Sequence, residues 1–230
     1  IFSPNFLINK SQSYFVNFCF KRLSIKSDPI KGIKKLNSHL MKHLKPEKEK
    51  FILIFLGLGL DSGRKLNKDL MHEIISLSKK SSLKPIIIKE PGFSNEVKDI
   101  SKIYNVKSIS NETFYDLFLL MKKSEFVVGY DCGPMHIASL LTNTIILFSH
   151  TPPLHWGRHI WHKEINREFI SNKSFKVSII KLINKGYEKI NWIVSPDLKG
   201  CNLHKNICKN NNCSALNKEL VSYAIKKILD

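Results

Sequence analysis

One stretch constrains the fold more than any other: Ser124 to Trp156, SEFVVGYDCGPMHIASLLTNTIILFSHTPPLHW. It opens on Phe126-Val127-Val128, too short for a helix and rich in β-branched side chains, which reads as a buried strand. Gly129-Tyr130-Asp131-Cys132-Gly133 reads as a turn. Pro134 then stands where a first helical turn begins, a position where its missing N–H costs nothing. Met135 to Leu141 carries the helix, Thr142-Asn143 breaks it, and Thr144 to Phe148 reads as the next strand. A strand–turn–helix–strand unit is the building block of a parallel sheet flanked by helices.

Such a turn can hold an anion. Backbone N–H groups at a helix N-terminus lack intrahelical partners, and the helix dipole adds positive potential behind them. Gly133 would let a phosphate approach the backbone closely. The competing reading is that Gly, Asp and Pro serve the geometry of the turn alone.

Comparable units flank this one. Phe51 to Phe55 is a first strand, running into the Gly-rich turn Gly57-Leu58-Gly59-Leu60-Asp61-Ser62-Gly63-Arg64-Lys65. Leu70, Met71, Ile74, Ile75 and Leu77 make the following helix amphipathic. Arg64 and Lys65, just before that helix, are either a solvated cation pair or ligands for an anion. Lys84 to Lys89 is a second strand. Beyond it Ser94 can cap a helix, and Glu96 lies in the first turn, where the dipole favours a carboxylate. Val106 to Ile109 is a short strand, and Phe114, Leu117, Phe118 and Met121 are spaced as a core-facing helix stripe. Four apolar strands alternating with helices give an α/β class, a Rossmann-like, mostly parallel sheet flanked by helices. In such sheets ligands bind outside the C-terminal ends of the strands. All four candidate turns, Gly57–Lys65, Glu90–Glu96, Gly129–Gly133 and Ser149–Trp156, fall there.

Composition narrows the partners. Of 230 residues, 37 are basic and 19 acidic, a net charge of +18. Such a charge suits an anionic partner. Arg22, Arg64, Arg158 and Arg167 are the arginines, leaving 37 − 4 = 33 lysines. A nucleic-acid clamp uses more arginine, so no nucleic acid is expected, and an anionic membrane face or glycolipid fits better. No apolar run reaches the roughly 18 residues of a membrane span. The first residues lack the basic and long apolar regions of a signal peptide. The chain starts at Ile1 rather than Met and is read as a fragment. Five cysteines, an odd and sparse count, argue against a disulfide scaffold. His155, His159 and His162 lack a further ligand nearby, and Cys201, Cys208 and Cys213 lack knuckle spacing, so no metal is expected.

The run VVGYDCGPMHIASLLTNTIILFSHTPPLHWG resembles the signature of the family 9 glycosyltransferases, the heptosyltransferase-like enzymes of lipopolysaccharide core assembly. The matching residues are Gly129, Asp131, Gly133, His136, Ala138, Leu141, Thr151, Pro153 and Trp156. Cys132 stands where the family usually has Ser or Thr. Asn143-Thr144 replaces a Gly-x-Pro turn, and Ser149-His150 replaces Gly-Pro. The resemblance implies the C-terminal, donor-binding half of a GT-B glycosyltransferase. By it, residues 1–50 are a helical remnant or linker to an absent or truncated acceptor domain. Residues 51–200 are the nucleotide-sugar domain, and 201–230 a Cys-bearing tail with a final helix. Residues 1–50, through Tyr14, Phe15 and Phe18, and the final helix should then expose apolar faces that the missing domain would cover.

The family's reaction is inverting transfer of heptose or a related sugar from an ADP-sugar to a glycolipid. The resemblance therefore implies an ADP-sugar as donor substrate, no cofactor, and a cytoplasmic protein peripheral at the inner membrane. It implies a donor site built from Gly57, Arg64 or Lys65 at the diphosphate, Glu96 at the ribose, the Cys132 and Gly133 amides, Asp131 and His136. The family's general base is an Asp in the N-terminal domain, to which no segment here corresponds.

Overall fold

The computed structural model describes residues 29–44, 49–56, 68–89, 94–110, 113–148, 163–171, 176–183, 189–194 and 218–230. In chain order these form α1 (Pro29–Lys42), β1 (Phe51–Ile54), α2 (Lys68–Lys80), β2 (Lys84–Ile88), α3 (Ser94–Tyr104), β3 (Lys107–Ile109), α4 (Phe114–Lys123), β4 (Phe126–Tyr130), α5 (Gly133–Leu141), β5 (Asn143–Phe148), β6 (Lys163–Ser171), β7 (Lys176–Ile183), β8 (Lys189–Val194) and α6 (Lys218–Leu229).

The strands make one eight-stranded sheet in the order β3-β2-β1-β4-β5-β8-β7-β6. Every pairing from β3 across to β8 is parallel, and β7 and β6 close the far edge antiparallel. The mostly parallel α/β class read from the sequence is the observed one. A strand buried on both faces shows a continuous apolar run rather than alternation. That is why FILI and TIILF are legible as central strands: Phe51–Ile54 and Thr144–Phe148 are buried throughout.

Each strand feeds two cores. Ile52, Ile54, Val128, Ile145 and Leu147 pack beneath α2, α3 and α6. Leu53, Phe55, Val127, Ile146 and Phe148 pack beneath α1, α4 and α5 on the opposite face. Phe148 and Trp192 meet edge to face on this second side, ring centroids 5.4 Å apart.

Three expectations change. First, the sheet has β6, β7 and β8 beyond the strands read from the sequence. Ser178 and Lys181 interrupt KVSIIKLI and Asn191 interrupts KINWIV, so tertiary pairing rather than local pattern makes them strands. Second, the final helix does not present its apolar face outward. Leu220, Val221, Ala224 and Ile225 are buried in the core that holds Leu70, Met71 and Ile74 of α2. Leu40 of α1 is likewise fully buried, and Asn37 Nδ2 donates to the Leu140 carbonyl at 3.3 Å. Met41 is exposed; Tyr14, Phe15 and Phe18 lie outside the described residues. Third, Phe114 is not core. Thr113 is the N-cap of α4, accepting from the Asp116 amide at 3.1 Å, which puts Phe114 in the first helical turn. There it is 75% exposed, while Leu117 and Met121 fill the core. Among the described residues no helix is long and apolar enough to cross a membrane.

Candidate functional site

In this strand order the reversal falls between β1 and β4, whose outgoing turns lead to helices on opposite faces. A crevice forms at such a reversal, outside the C-terminal ends of the strands. On the β4 side, pairing with β5 continues one residue past the strand, the Asp131 amide donating to the Leu147 carbonyl at 3.0 Å. Cys132 is the N-cap of α5 in extended conformation, without a side-chain capping hydrogen bond. Its carbonyl accepts from the Met135 and His136 amides at 3.0 and 3.3 Å, closing the first turn. Pro134 has no amide to offer. The Gly133 N–H is thus the donor that the start of α5 leads with.

Two glycines shape this turn in different ways. A Cβ on Gly129 would lie 3.0 Å from Phe55 Cβ, 3.1 Å from the Phe55 carbonyl oxygen and 3.1 Å from Met135 Sδ. Gly129 therefore lets β1 and α5 close on β4. A Cβ on Gly133 would meet nothing within 4 Å, and its φ is not left-handed. Neither packing nor backbone strain calls for glycine at 133, so its side is open to a ligand. The sequence reads Gly129 and Tyr130 as part of the turn; the structure makes them the last two residues of β4, so the turn begins at Asp131. The signal was a glycine inside a β-branched strand, which marks close backbone approach.

Asp131 and His136 come together. The carboxylate is buried, and its Oδ1 lies 2.8 Å from His136 Nε2, within ion-pair distance. The couple bridges the end of β4 to the first turn of α5 and fixes the turn between them. Tyr130, also buried, has its phenol pushed up to about 12 by desolvation.

The other departures from the motif sort by edge. Asn143 starts β5 at the opposite end of the sheet. Its Nδ2 donates to the Glu125 carbonyl at 3.1 Å and its Oδ1 accepts from the Lys189 amide at 2.9 Å. Thr142 Oγ1 donates to the Ser124 carbonyl at 2.9 Å. These side chains stitch β4, β5 and β8 together at the edge away from the turn.

Of the eight site residues expected, Asp131, Cys132, Gly133 and His136 stand on one turn. Gly57, Arg64 and Lys65 lie outside the described residues, and Glu96 is described only as backbone in the first turn of α3. His155, His159, His162, Cys201, Cys208 and Cys213 also lie outside them.

A doubly wound parallel sheet with a glycine-opened helix N-terminus at its reversal defines a Rossmann-like class of domain. Residues 105–184 match the model of glycosyltransferase family 9 (heptosyltransferase), and this region is heptosyltransferase-like, as the motif resemblance implied. The fold is similar to that of the E. coli heptosyltransferase WaaC with ADP, at 15% identity and a TM-score of 0.57 over 83% of this chain and 48% of that one. The same enzyme with ADP-2-deoxy-2-fluoro heptose gives 15% identity and a TM-score of 0.52 over 84% of this chain and 47% of that one. At that identity the likeness is one of fold, the GT-B heptosyltransferase type. The chain spans about half the length of these structures. No curated protein matches it by sequence.

Proposed function

We propose that the chain supplies the donor-binding half of a glycosyltransferase that moves heptose, or a related sugar, from an ADP-activated donor to a lipopolysaccharide core acceptor. Such an acceptor would put it at the cytoplasmic face of the inner membrane. The observation that carries this reading is the Asp131–Gly133 turn. It sits at the strand-order reversal, inside the family-matched region, with Gly133 open where a phosphate would lie.

The chemistry follows from the leaving group. Breaking the bond from the sugar to the diphosphate builds negative charge on the departing nucleoside diphosphate. Preorganised donors aimed at that charge lower the barrier. The Gly133 amide and the α5 dipole supply it on one side. In this proposal Arg64 or Lys65, beyond the Gly57 turn, supply a cation on the other, and Glu96 accepts from the ribose hydroxyls. Asp131 and His136 are positioning residues that hold the turn. The acceptor hydroxyl needs a general base; the family's base belongs to the other domain, so the 230 residues alone bind the donor and transfer poorly.

A second reading has one observation in its favour: the family match is confined to residues 105–184, which hold the candidate donor turn and no identified general base. On that reading it is a non-catalytic nucleotide-sugar-binding module or subunit. A thermal-shift panel of nucleotide sugars, with a transfer assay on the same protein, tests both. Ligand binding raises the melting temperature by mass action. We expect a shift with ADP- or UDP-linked sugars and little transfer to a lipid A-type acceptor. Robust transfer without an added subunit overturns the half-enzyme reading, and no shift with any nucleotide sugar overturns both.

A further inference from the structure

The opposite edge of the sheet, where β1, β2 and β3 begin, carries a groove of about 590 Å³. Four lysines line it, Lys50, Lys79, Lys84 and Lys107, against a single carboxylate, Glu49. Three of them are held in place: Lys84 Nζ lies 2.7 Å from Glu49 Oε2, Lys50 Nζ lies 3.6 Å from Glu125 Oε2, and Lys79 Nζ donates to the Tyr104 carbonyl at 3.1 Å. Each ammonium has three donors, so none of these contacts exhausts it.

The helix ends around this groove are the informative feature. α2 and α3 both finish in a Schellman motif. The Leu83 amide donates to the Ser78 carbonyl at 2.9 Å, and the Ser82 amide to Lys79 at 3.1 Å. The Val106 amide donates to Ser101 at 3.0 Å, and the Asn105 amide to Lys102 at 3.5 Å. The residue just past each helix must then be left-handed, and glycine fills that position most cheaply. Here it is Ser82 (φ 56) and Asn105 (φ 48), the non-glycine residues with positive φ among those described. Both line the groove. Asn tolerates this conformation and Ser does so less well. At two symmetry-unrelated caps the chain thus keeps a hydrogen-bonding side chain at a conformational cost, and both face the same four lysines.

Charge decides what the groove takes. Four ammonium groups oppose Glu49, the Glu125 carboxylate paired with Lys50, and two helix C-termini of about half a negative charge each, which leaves roughly one positive charge. We propose that this groove recognises a phosphate group, carried by a free phosphoester or by an anionic lipid headgroup. The lysines supply charge, and Ser82 and Asn105 supply directed donors. The groove is at the far edge from the Gly133 turn and does not depend on the donor reading.

The test uses the 230-residue chain, with inorganic pyrophosphate and vesicles as probes. Amide NMR shifts separate the groove from the Gly133 turn, which also attracts pyrophosphate. One variant is Ser82→Gly/Asn105→Gly, the other Lys79→Gln/Lys107→Gln. Saturable shifts at Ser82 and Asn105 with pyrophosphate, weakened about tenfold in both variants, are expected for lost charge-assisted hydrogen bonds. Co-sedimentation with phosphatidylcholine vesicles only when phosphatidylglycerol is added, lost in both variants, would assign the headgroup as the source. The glycine variant should melt no lower than the parent, since glycine relieves the left-handed caps; a merely structural role would move stability and leave binding alone. Neither probe perturbing the groove, or both variants binding as the parent does, overturns the proposal.

Discussion

Gly129 and Gly133 stand four residues apart and answer to different constraints. At 129 the backbone carbonyl of Phe55 and the sulfur of Met135 crowd the place a methyl would take. Gly129→Ala should therefore destabilise the protein by about 1–3 kcal/mol, the usual cost of overpacking a core, measurable by urea denaturation. An unchanged midpoint would mean that β1 and α5 yield freely there. Tyr130 gives a pH signature of the same turn. Its folded pKa, about 12, lies above the usual phenol value of 10.0 because burial disfavours the phenolate. A raised folded pKa means the unfolded chain loses its proton first. The stabilisation is complete below pH 10 and is lost as pH rises through the folded value, on the order of 2–3 kcal/mol in all. Phenolate absorbance should thus show one tyrosine titrating late, in step with alkaline unfolding. At this scale the sequence already put Asp131, Cys132, Gly133 and His136 on one strand-to-helix turn, because turn chemistry is local. The strained caps at Ser82 and Asn105 were not legible, since neither residue type announces a positive φ.

At the scale of elements, α6 joins the same core as α2, although more than 130 residues separate their starting points in the chain (Lys68 and Lys218). Ile225 is fully buried there. Ile225→Ala should cost about 2–5 kcal/mol by chemical denaturation, the range for an aliphatic truncation in a packed core. A cost near zero would mean that the helix waits for another domain. The apolar stripe of α6 was legible as a stripe, with Leu220, Val221, Ala224 and Ile225 on one face. What it packs against was not, because periodicity fixes a face and not its partner. The same limit explains β6 to β8. FILI and TIILF are continuous apolar runs and announce buried parallel strands, whereas the runs of 176–183 and 189–194, interrupted by Ser178, Lys181 and Asn191, become strands only by pairing with β5 and one another.

For the molecule as a whole, the two edges of the sheet do different things. The C-terminal edge carries the glycine-opened turn at the strand-order reversal, and the opposite edge is stitched by Thr142 and Asn143 and grooved by lysines. A charge of +18 suits an anionic partner but does not say where one would bind, since lysines complement helix C-termini in any case. The central claim is that a donor diphosphate rests on the Gly133 amide. Calorimetric titration of ADP into the parent chain and into Gly133→Val tests it most directly, with circular dichroism to confirm that both are folded. The parent should bind saturably. The valine side chain, whose Cβ meets no protein atom within 4 Å, should fill the ligand's place and abolish binding while the fold survives. Equal ADP affinity in a folded Gly133→Val variant would contradict the account.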